Sequence, residues 1–342
     1  MPRVVTFGEI MLRLSPPGFE RFLQSPMLVA TFGGGEANVA VSLAHFGVES
    51  VYVTALPKHA IGDAAVRALR TEGVRTDAIV RSGNRVGIYF AETGASQRAS
   101  AVIYDRAHSS VSEMKPDAVE WTTLMSGAAW FHVTGITPAL GPNGAEATRL
   151  AIAAAKAAGA RVSVDLNYRK KLWTEAQAQQ VMGPLMRNVD VVIANEEDLQ
   201  SVLGVNVPDT DVTSGQLNVE GFRQAAEQVT RDFGPAIVAI TLRESVSASD
   251  NGWSAVLWDA TTKTMHRSQR YEVRLVDRIG GGDSFAAGLI YGLVCGRPPQ
   301  EALRFAVAAS ALKQTIPGDF NRVTAEEVDR LAGGDASGRV QR

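Results

Sequence analysis

Short apolar, β-branched runs alternate with longer alanine-rich stretches along most of the chain. The runs RVVTFGE, SVYVTALP, AAWFHVTG, ARVSVDLN, VDVVIAN and PAIVAITL read as strands, the later ones as buried strands. Between them, EANVAVSLAHFG, GDAAVRALRTEG, GAEATRLAIAAAKAAG, TEAQAQQVMGPLM and EEDLQSVLG carry helical patterns, the first closed by Gly47 and the second by Gly73. Strands alternating with helices of this length need βαβ crossovers. The expected fold is α/β, with a mostly parallel central sheet covered by helices on both faces, a three-layer α/β/α arrangement. Ligands of such sheets bind at the carboxyl ends of the strands.

Two stretches break the alternation. Residues 12–32 have strand-like pieces but no helical period, and residues 86–104 look like a hairpin with its turn in a Gly/Ser-rich middle. They read as a small β-sheet lid on a main domain made of residues 1–11, 33–85 and 105–332; two ordinary surface excursions are the alternative. Residues 205–219 read as a polar loop and 333–342 as a flexible tail.

Composition narrows the class. Of 342 residues, 45% are hydrophobic and 20% charged, which suits a globular protein, and a net charge of -2 gives no reason to expect nucleic acid or an anionic membrane as partner. The five histidines are scattered without metal-ligand spacing. The single cysteine, Cys295, lies in the apolar run LIYGLVCG and reads as a buried, inert thiol. The N-terminus enters a strand pattern directly, and no apolar run reaches the ~18 residues of a membrane span. A cytoplasmic enzyme is the expectation.

The chemistry concentrates in DRIGGGDSFAAG, residues 277–288. Glycines let backbone N–H groups face a ligand, and the helical pattern that follows puts them at a helix N-terminus, which favours an anion. Asp283 beside that anion could take a proton from an attacking hydroxyl, or could simply cap the helix. A second glycine run, GGGEANVA, also precedes a helix, and its Asn38 can both donate to and accept from a polyol. In NEED, Asn195 and Asp198 stand at capping-box spacing, which taken alone is the better reading; a carboxylate near hydrated magnesium is the other. Walker-type, dinucleotide and nucleophile-elbow motifs are absent.

These elements, in this order and over nearly the whole chain, resemble the ribokinase-like (PfkB-type) carbohydrate kinases. The resemblance implies ATP and Mg²⁺, with Asp283 as the base and Gly280, Gly281 and Gly282 as the anion hole. It implies nucleotide contacts from Asn167, Asn195, Thr241, Arg243, Gly280 and Gly282, and a reach from Asp198 to magnesium through water. It implies that the lid is real and often joins two subunits, hence a homodimer. Three places depart from the family pattern. Arg278 and Ile279 replace the usual Thr-Thr, so the resemblance does not extend to the monovalent-cation site common in relatives. Asp198 replaces a Glu, and the nucleotide loop, expected in TLRESVSASDNG with Arg243 and Glu244 early in it, has few glycines.

For the substrate, GEIMLRLS lacks the Asp that ribose-type members carry near the end of the first strand. Tyr89, Tyr104 and Arg106 on or beside the lid, with Arg169 after a strand end, instead suit a carboxylate. Each arginine alone could equally be a solvated surface charge. Together GGGEAN, IYDRAHS, DLNYRKKLW and ALKQTIPGDFN look like 2-keto-3-deoxygluconate kinases, which implies phosphorylation of a 6-hydroxyl in a site formed by Gly34, Asn38, Tyr89, Tyr104, Arg106, Arg169 and Asp283. A kinase for fructose or another neutral sugar, and a non-catalytic sugar-acid sensor, are the alternatives.

Overall fold

Successive residues of a strand face opposite sides of its sheet, so a strand covered on both sides must be apolar throughout. The computed structural model, which describes residues 1–208, 219–335 and 338, follows that rule. Its strands are β1 (Arg3–Phe7), β2 (Met11–Ser15), β3 (Val29–Gly33), β4 (Glu49–Val53), β5 (Ala55–Leu56), β6 (Val80–Arg81), β7 (Gly87–Glu92), β8 (Ala101–Asp105), β9 (Trp130–Thr134), β10 (Arg161–Asp165), β11 (Val191–Ala194), β12 (Ile237–Ser245), β13 (Asp250–Asp259), β14 (Thr264–Arg267) and β15 (Tyr271–Arg274). Its α-helices are α1 (Gly35–His45), α2 (Ala60–Thr71), α3 (Trp121–Met125), α4 (Ile136–Ala139), α5 (Pro142–Ala157), α6 (Glu175–Met186), α7 (Glu196–Leu203), α8 (Val219–Phe233), α9 (Gly281–Val294), α10 (Pro299–Lys313) and α11 (Ala325–Ala332).

The large sheet has the order β14-β13-β12-β11-β10-β9-β1-β4, with β15 also on β13. Pairing is parallel from β4 through β12 and antiparallel from there outward. Val5, Phe131, Val162, Val192 and Val238 pack beneath α5, α6 and α8. Their strand neighbours Val4, Trp130, Val191 and Ile237 pack on the other side beneath α1, α9 and α10. His132 is buried on β9 with Nδ1 2.8 Å from Ser163 Oγ. Burial lowers its pKa to about 3, so it is neutral and structural.

The expected strands and helices are present. The antiparallel edge β13–β15 and helices α8, α10 and α11 lay outside the sequence reading. Two expectations are corrected. Arg243 and Glu244, expected in a loop, lie in β12, where Arg243 pairs with Trp253 across the antiparallel ladder; that ladder is a long-range partner no local pattern reveals. Cys295 is exposed, because it is the C-cap of α9 rather than part of the helix's buried face. The expected loop 205–219 and tail 333–342 fall largely outside the described residues. Among the described residues, no helix is long and apolar enough to cross a membrane.

A second, four-stranded sheet, β3-β2-β7-β8, is built from the two stretches that broke the alternation. Alternate residues of its central strands, Met11, Arg13, Tyr89 and Ala91, are buried against the main body. Arg13 crosses to the main body and pairs with Asp277 and Asp319, each at 2.7 Å. Desolvation opposes its charge, but Asp319 and Asp277 outweigh that and raise its pKa. Tyr89 Oη donates to the other Asp319 oxygen at 2.5 Å.

Breaking a buried ion pair from one side leaves an uncompensated charge, at a cost of about 3–5 kcal/mol. Arg13→Ala should lower the unfolding free energy in urea by about that much. A loss below about 1 kcal/mol, the level of an exposed pair, would show that the cluster does not hold the small sheet.

Candidate functional site

The segment Asp277–Gly280 turns into α9 at the edge of a cavity of about 320 Å³. Gly280 has φ 85°, and a Cβ there would lie 2.2 Å from the Asp319 carbonyl oxygen, so the turn admits glycine alone. Gly280 is the helix N-cap, with no side-chain cap bond, and Asp283 lies in the first turn. Asp283 is therefore not the cap, and its carboxylate serves something else. The first-turn amides of a helix have no intrahelical partner.

Asp283 Oδ2 accepts a hydrogen bond from Asn38 Nδ2 at 2.6 Å. Burial raises the Asp283 pKa to about 6, the Asn38 bond opposes that rise, and Asp319 and Glu36 add to it. Such a carboxylate can accept a proton near neutral pH. Asn38 is itself fixed, because its Oδ1 accepts from Gly34 N at 3.2 Å. It thus orients Asp283 and keeps only part of its hydrogen-bonding capacity for a ligand. Gly34 allows this close approach, since a Cβ would lie 2.0 Å from the Glu9 carbonyl oxygen. Glu36, fully enclosed, accepts from Thr134 N, Thr134 Oγ1 and Thr137 Oγ1 and so ties the start of α1 to the end of β9.

Gly34, Asn38, Tyr89, Tyr104, Arg106, Asn167, Arg169, Asn195, Asp198, Thr241, Arg243, Gly280, Gly282 and Asp283 all line the cavity. Gly281 is the exception. Its amide donates to the Arg278 carbonyl at 3.3 Å, and its Cα faces Gln314, so it is not free for an anion. Tyr89 and Tyr104 stack with centroids 5.9 Å apart. Arg106 is not a free surface charge: its Nε donates to Glu9 Oε2 at 2.7 Å and its Nη2 to the same oxygen, which leaves the Nη1 edge for a ligand. Arg169 lines the cavity but is exposed, and its charge acts on Asp165, Asp198 and Asp283.

Arg278 also lines this cavity, and its buried Nε has no hydrogen-bond partner. Arg243 lies over the Trp253 ring at 5.5 Å. Desolvation, then repulsion from Arg278 and Arg169, lowers its pKa, so an anion would be welcome there. Asn167, at the end of β10, holds φ 40°, a left-handed conformation that asparagine tolerates better than most residues.

Asn195 and Asp198 form the capping box: Asn195 Oδ1 accepts from Asp198 N at 2.8 Å, and Asp198 Oδ2 from Asn195 N at 3.3 Å. Asp198 Oδ1 accepts from Tyr168 N at 2.8 Å. Burial raises the Asp198 pKa, and it raises that of Asp165, helped there by Asp198 and Asp283. Among the described residues, no three His, Cys, Asp or Glu side chains form a metal-ligating group.

Sequence reasoning gave no role to the five charged cavity residues Glu9, Glu36, Asp165, Arg278 and Asp319. Arg278 was noted only as a departure from the family pattern, and Glu9 and Glu36 stood in quoted stretches without a role. Asp165 and Asp319 lay in quoted motifs, but nothing local distinguishes a strand-end carboxylate that faces a cavity from one that faces solvent.

A family model described as pfkB family carbohydrate kinase matches residues 1–323. A 2-dehydro-3-deoxygalactonokinase of Haloferax volcanii is 35% identical over 97% of this chain and 98% of its own length. A 2-dehydro-3-deoxygluconokinase of Thermoproteus tenax is 29% identical over 93% of this chain and 90% of its own. The crystal structure of a 2-dehydro-3-deoxygluconokinase from Thermotoga maritima superposes with a TM-score of 0.94 at 50% identity, covering 98% of this chain and 100% of that one.

The site's electrostatics can be checked without a ligand. A ¹³C NMR titration should place the Asp283 carboxyl midpoint at about 6. Asn38→Ala removes a bond that favours the ionised form, so it should move that midpoint to higher pH. An unchanged midpoint would show that the 2.6 Å contact does not tune the carboxylate.

Proposed function

The chain belongs to the pfkB family of carbohydrate kinases, and we propose that it transfers the γ-phosphoryl group of ATP to the 6-hydroxyl of 2-keto-3-deoxygluconate. The observation that carries the substrate is that Arg106 and Arg169 line the same cavity as Asp283. A carboxylate at one end and a hydroxyl near Asp283 describe a sugar acid. The names of the Thermotoga and Thermoproteus relatives support the same substrate. The name of the Haloferax relative favours a second reading, 2-keto-3-deoxygalactonate, which differs in configuration at C4.

In this reading the sugar acid lies beneath the small sheet, which acts as the lid. Gly34, Asn38, Tyr89 and Tyr104 surround it. Arg106, held by Glu9, offers its free edge to the carboxylate, and Arg169 meets it from the main body. Asp283 takes the proton of the 6-hydroxyl as that oxygen bonds to the γ-phosphorus. The bond from phosphorus to the bridging oxygen breaks, and ADP leaves with the electron pair. The amides of Gly280 and Gly282, with Arg278, meet the charge on the transferring group. Thr241, Arg243, Asn195 and Asn167 lie along the nucleotide side.

Magnesium fits as an outer-sphere guest. Both Asp198 oxygens already accept backbone N–H bonds, yet burial still raises the pKa of Asp198 and of Asp165, so both would gain from a nearby cation. The ion would be held mainly by phosphates and water, with Asp198 reaching it through water, and would supply neutralisation of phosphate charge. Closure of the lid would keep water from the phosphoryl group.

The small sheet also supports a homodimer. Leu14, Phe90 and Ile103 are cross-strand neighbours on its outer side, and Ile103 is 54% exposed. Val86, just before β7, is buried with Ile10 and Val41 and adds nothing to that face. An apolar sheet face of this kind is commonly covered by a partner.

Three measurements follow from this mechanism. Asp283→Asn is nearly isosteric but accepts no proton, so kcat should fall ~10²–10⁴-fold with sugar binding kept within a few-fold. A charge-assisted hydrogen bond is worth roughly 1.5–3 kcal/mol, or one to two decades. Arg169→Ala should therefore lower kcat/KM for the sugar acid by about that factor and barely change it for fructose. Equal wild-type values for the acid and fructose, or equal losses on both, would favour a neutral-sugar kinase. Sedimentation at micromolar concentration should give a dimer; a fully active monomer would remove the lid from assembly.

A further inference from the structure

Lys313, the last residue of α10, has no exposed surface at all. A lysine is almost never buried in this way without a partner for its charge. Its Nζ donates to the backbone carbonyls of Asp277 at 3.1 Å and Ile316 at 3.4 Å. Its Cε would lie 3.1 Å from a Cβ placed on Gly280. The ammonium thus sits directly behind the glycine turn, on the side away from the solvent.

The surroundings are those of a cation site. Burial lowers the Lys313 pKa; Asp277, Asp319 and Asp283 oppose that and favour its charged form, while Arg13 adds to the lowering. Arg13 occupies the outer sides of the same two carboxylates. The end of α10 adds the negative end of its helix dipole. The segment 277–280 wraps around this charge. Asp277 Oδ1 accepts from Ile279 N at 3.1 Å and Oδ2 from Gly318 N at 3.0 Å, and Gln314 O accepts from the amides of Val276 and Asp277. Because a peptide unit is planar, drawing the Asp277 carbonyl onto Nζ fixes the plane of the peptide that leads into Arg278, which lines the cavity.

We propose that Lys313 is an internal cation: its ammonium gathers the carbonyls behind the glycine turn, holds that turn in its phosphate-receiving form, and does so in place of a monovalent metal ion. Carbonyl and carboxylate oxygens around a single positive charge would suit potassium or ammonium equally well. Lys313 touches neither substrate nor phosphate, so it is a positioning residue. The inference rests on the turn being the phosphate-holding element.

The test compares cations. The wild-type enzyme should turn over equally, within about twofold, with potassium, sodium or tetramethylammonium as the sole monovalent cation, since the charge is built in. Lys313→Met keeps the length and loses the charge. A small misplacement of a catalytic element costs up to about 10²-fold, so kcat in tetramethylammonium should fall roughly ten- to a hundredfold, with the sugar KM little changed. Potassium or ammonium, small enough to enter, should restore most of the loss; tetramethylammonium should not. Where the variant is unstable, the melting temperature serves as readout and should rise in potassium or ammonium alone. A structural lysine would give no such selectivity. The proposal is overturned if the wild type needs potassium, if the variant is fully active in tetramethylammonium, or if its deficit in rate and stability responds to no cation. Absence of any transfer by the wild type would instead overturn the reading of the cavity, and the melting-temperature comparison would still decide for or against Lys313.

Discussion

Buried charge must be matched, and beside the glycine turn it is matched four ways. Arg13 comes from the small sheet, Asp277 from the turn, Lys313 from the end of α10 and Asp319 from the segment after it. Two positive and two negative groups stand together, all of them buried. Removing any one would leave the others uncompensated in a low-dielectric setting. The four therefore act as a unit that fixes the small sheet, the turn and the last long helices relative to one another. Tyr89 extends the unit toward the cavity by donating to Asp319.

The cavity is polarised by what surrounds it. Among the lining residues, Asp165, Asp198 and Asp283 have pKa values raised chiefly by burial, which is the signature of negative charge awaiting a positive partner or a proton. On the same cavity Arg243 and Arg278 carry positive charge with incomplete compensation. A phosphate chain accompanied by a divalent cation would answer both needs at once. The sugar side differs: Arg106 is already oriented by Glu9, so its guanidinium presents a fixed edge rather than a flexible point charge. A fold of this type hosts many sugar kinases, and it is this local arrangement, rather than the sheet, that argues for a sugar acid.

The alternation of apolar strands and alanine-rich helices determined the parallel sheet by itself, because burial on both faces imposes a composition visible at every strand position. The two stretches lacking that period were legible as a separate sheet for the same reason. DRIGGGDSFAAG and GGGEANVA were legible as a site, because a backbone that must turn toward an anion tolerates few residues other than glycine. Tertiary structure alone decided the rest. It extended β12 through Arg243 by pairing it with β13, left Cys295 at an exposed helix end, and turned Gly281 away from the cavity toward Gln314. It also assigned Arg106 to Glu9, Tyr89 to Asp319 and Lys313 to the carbonyl of Asp277. Those partners lie from 36 to 230 residues apart in the chain. Residue type says that a charge needs a partner, but which partner it meets depends on where the folded chain brings distant segments together.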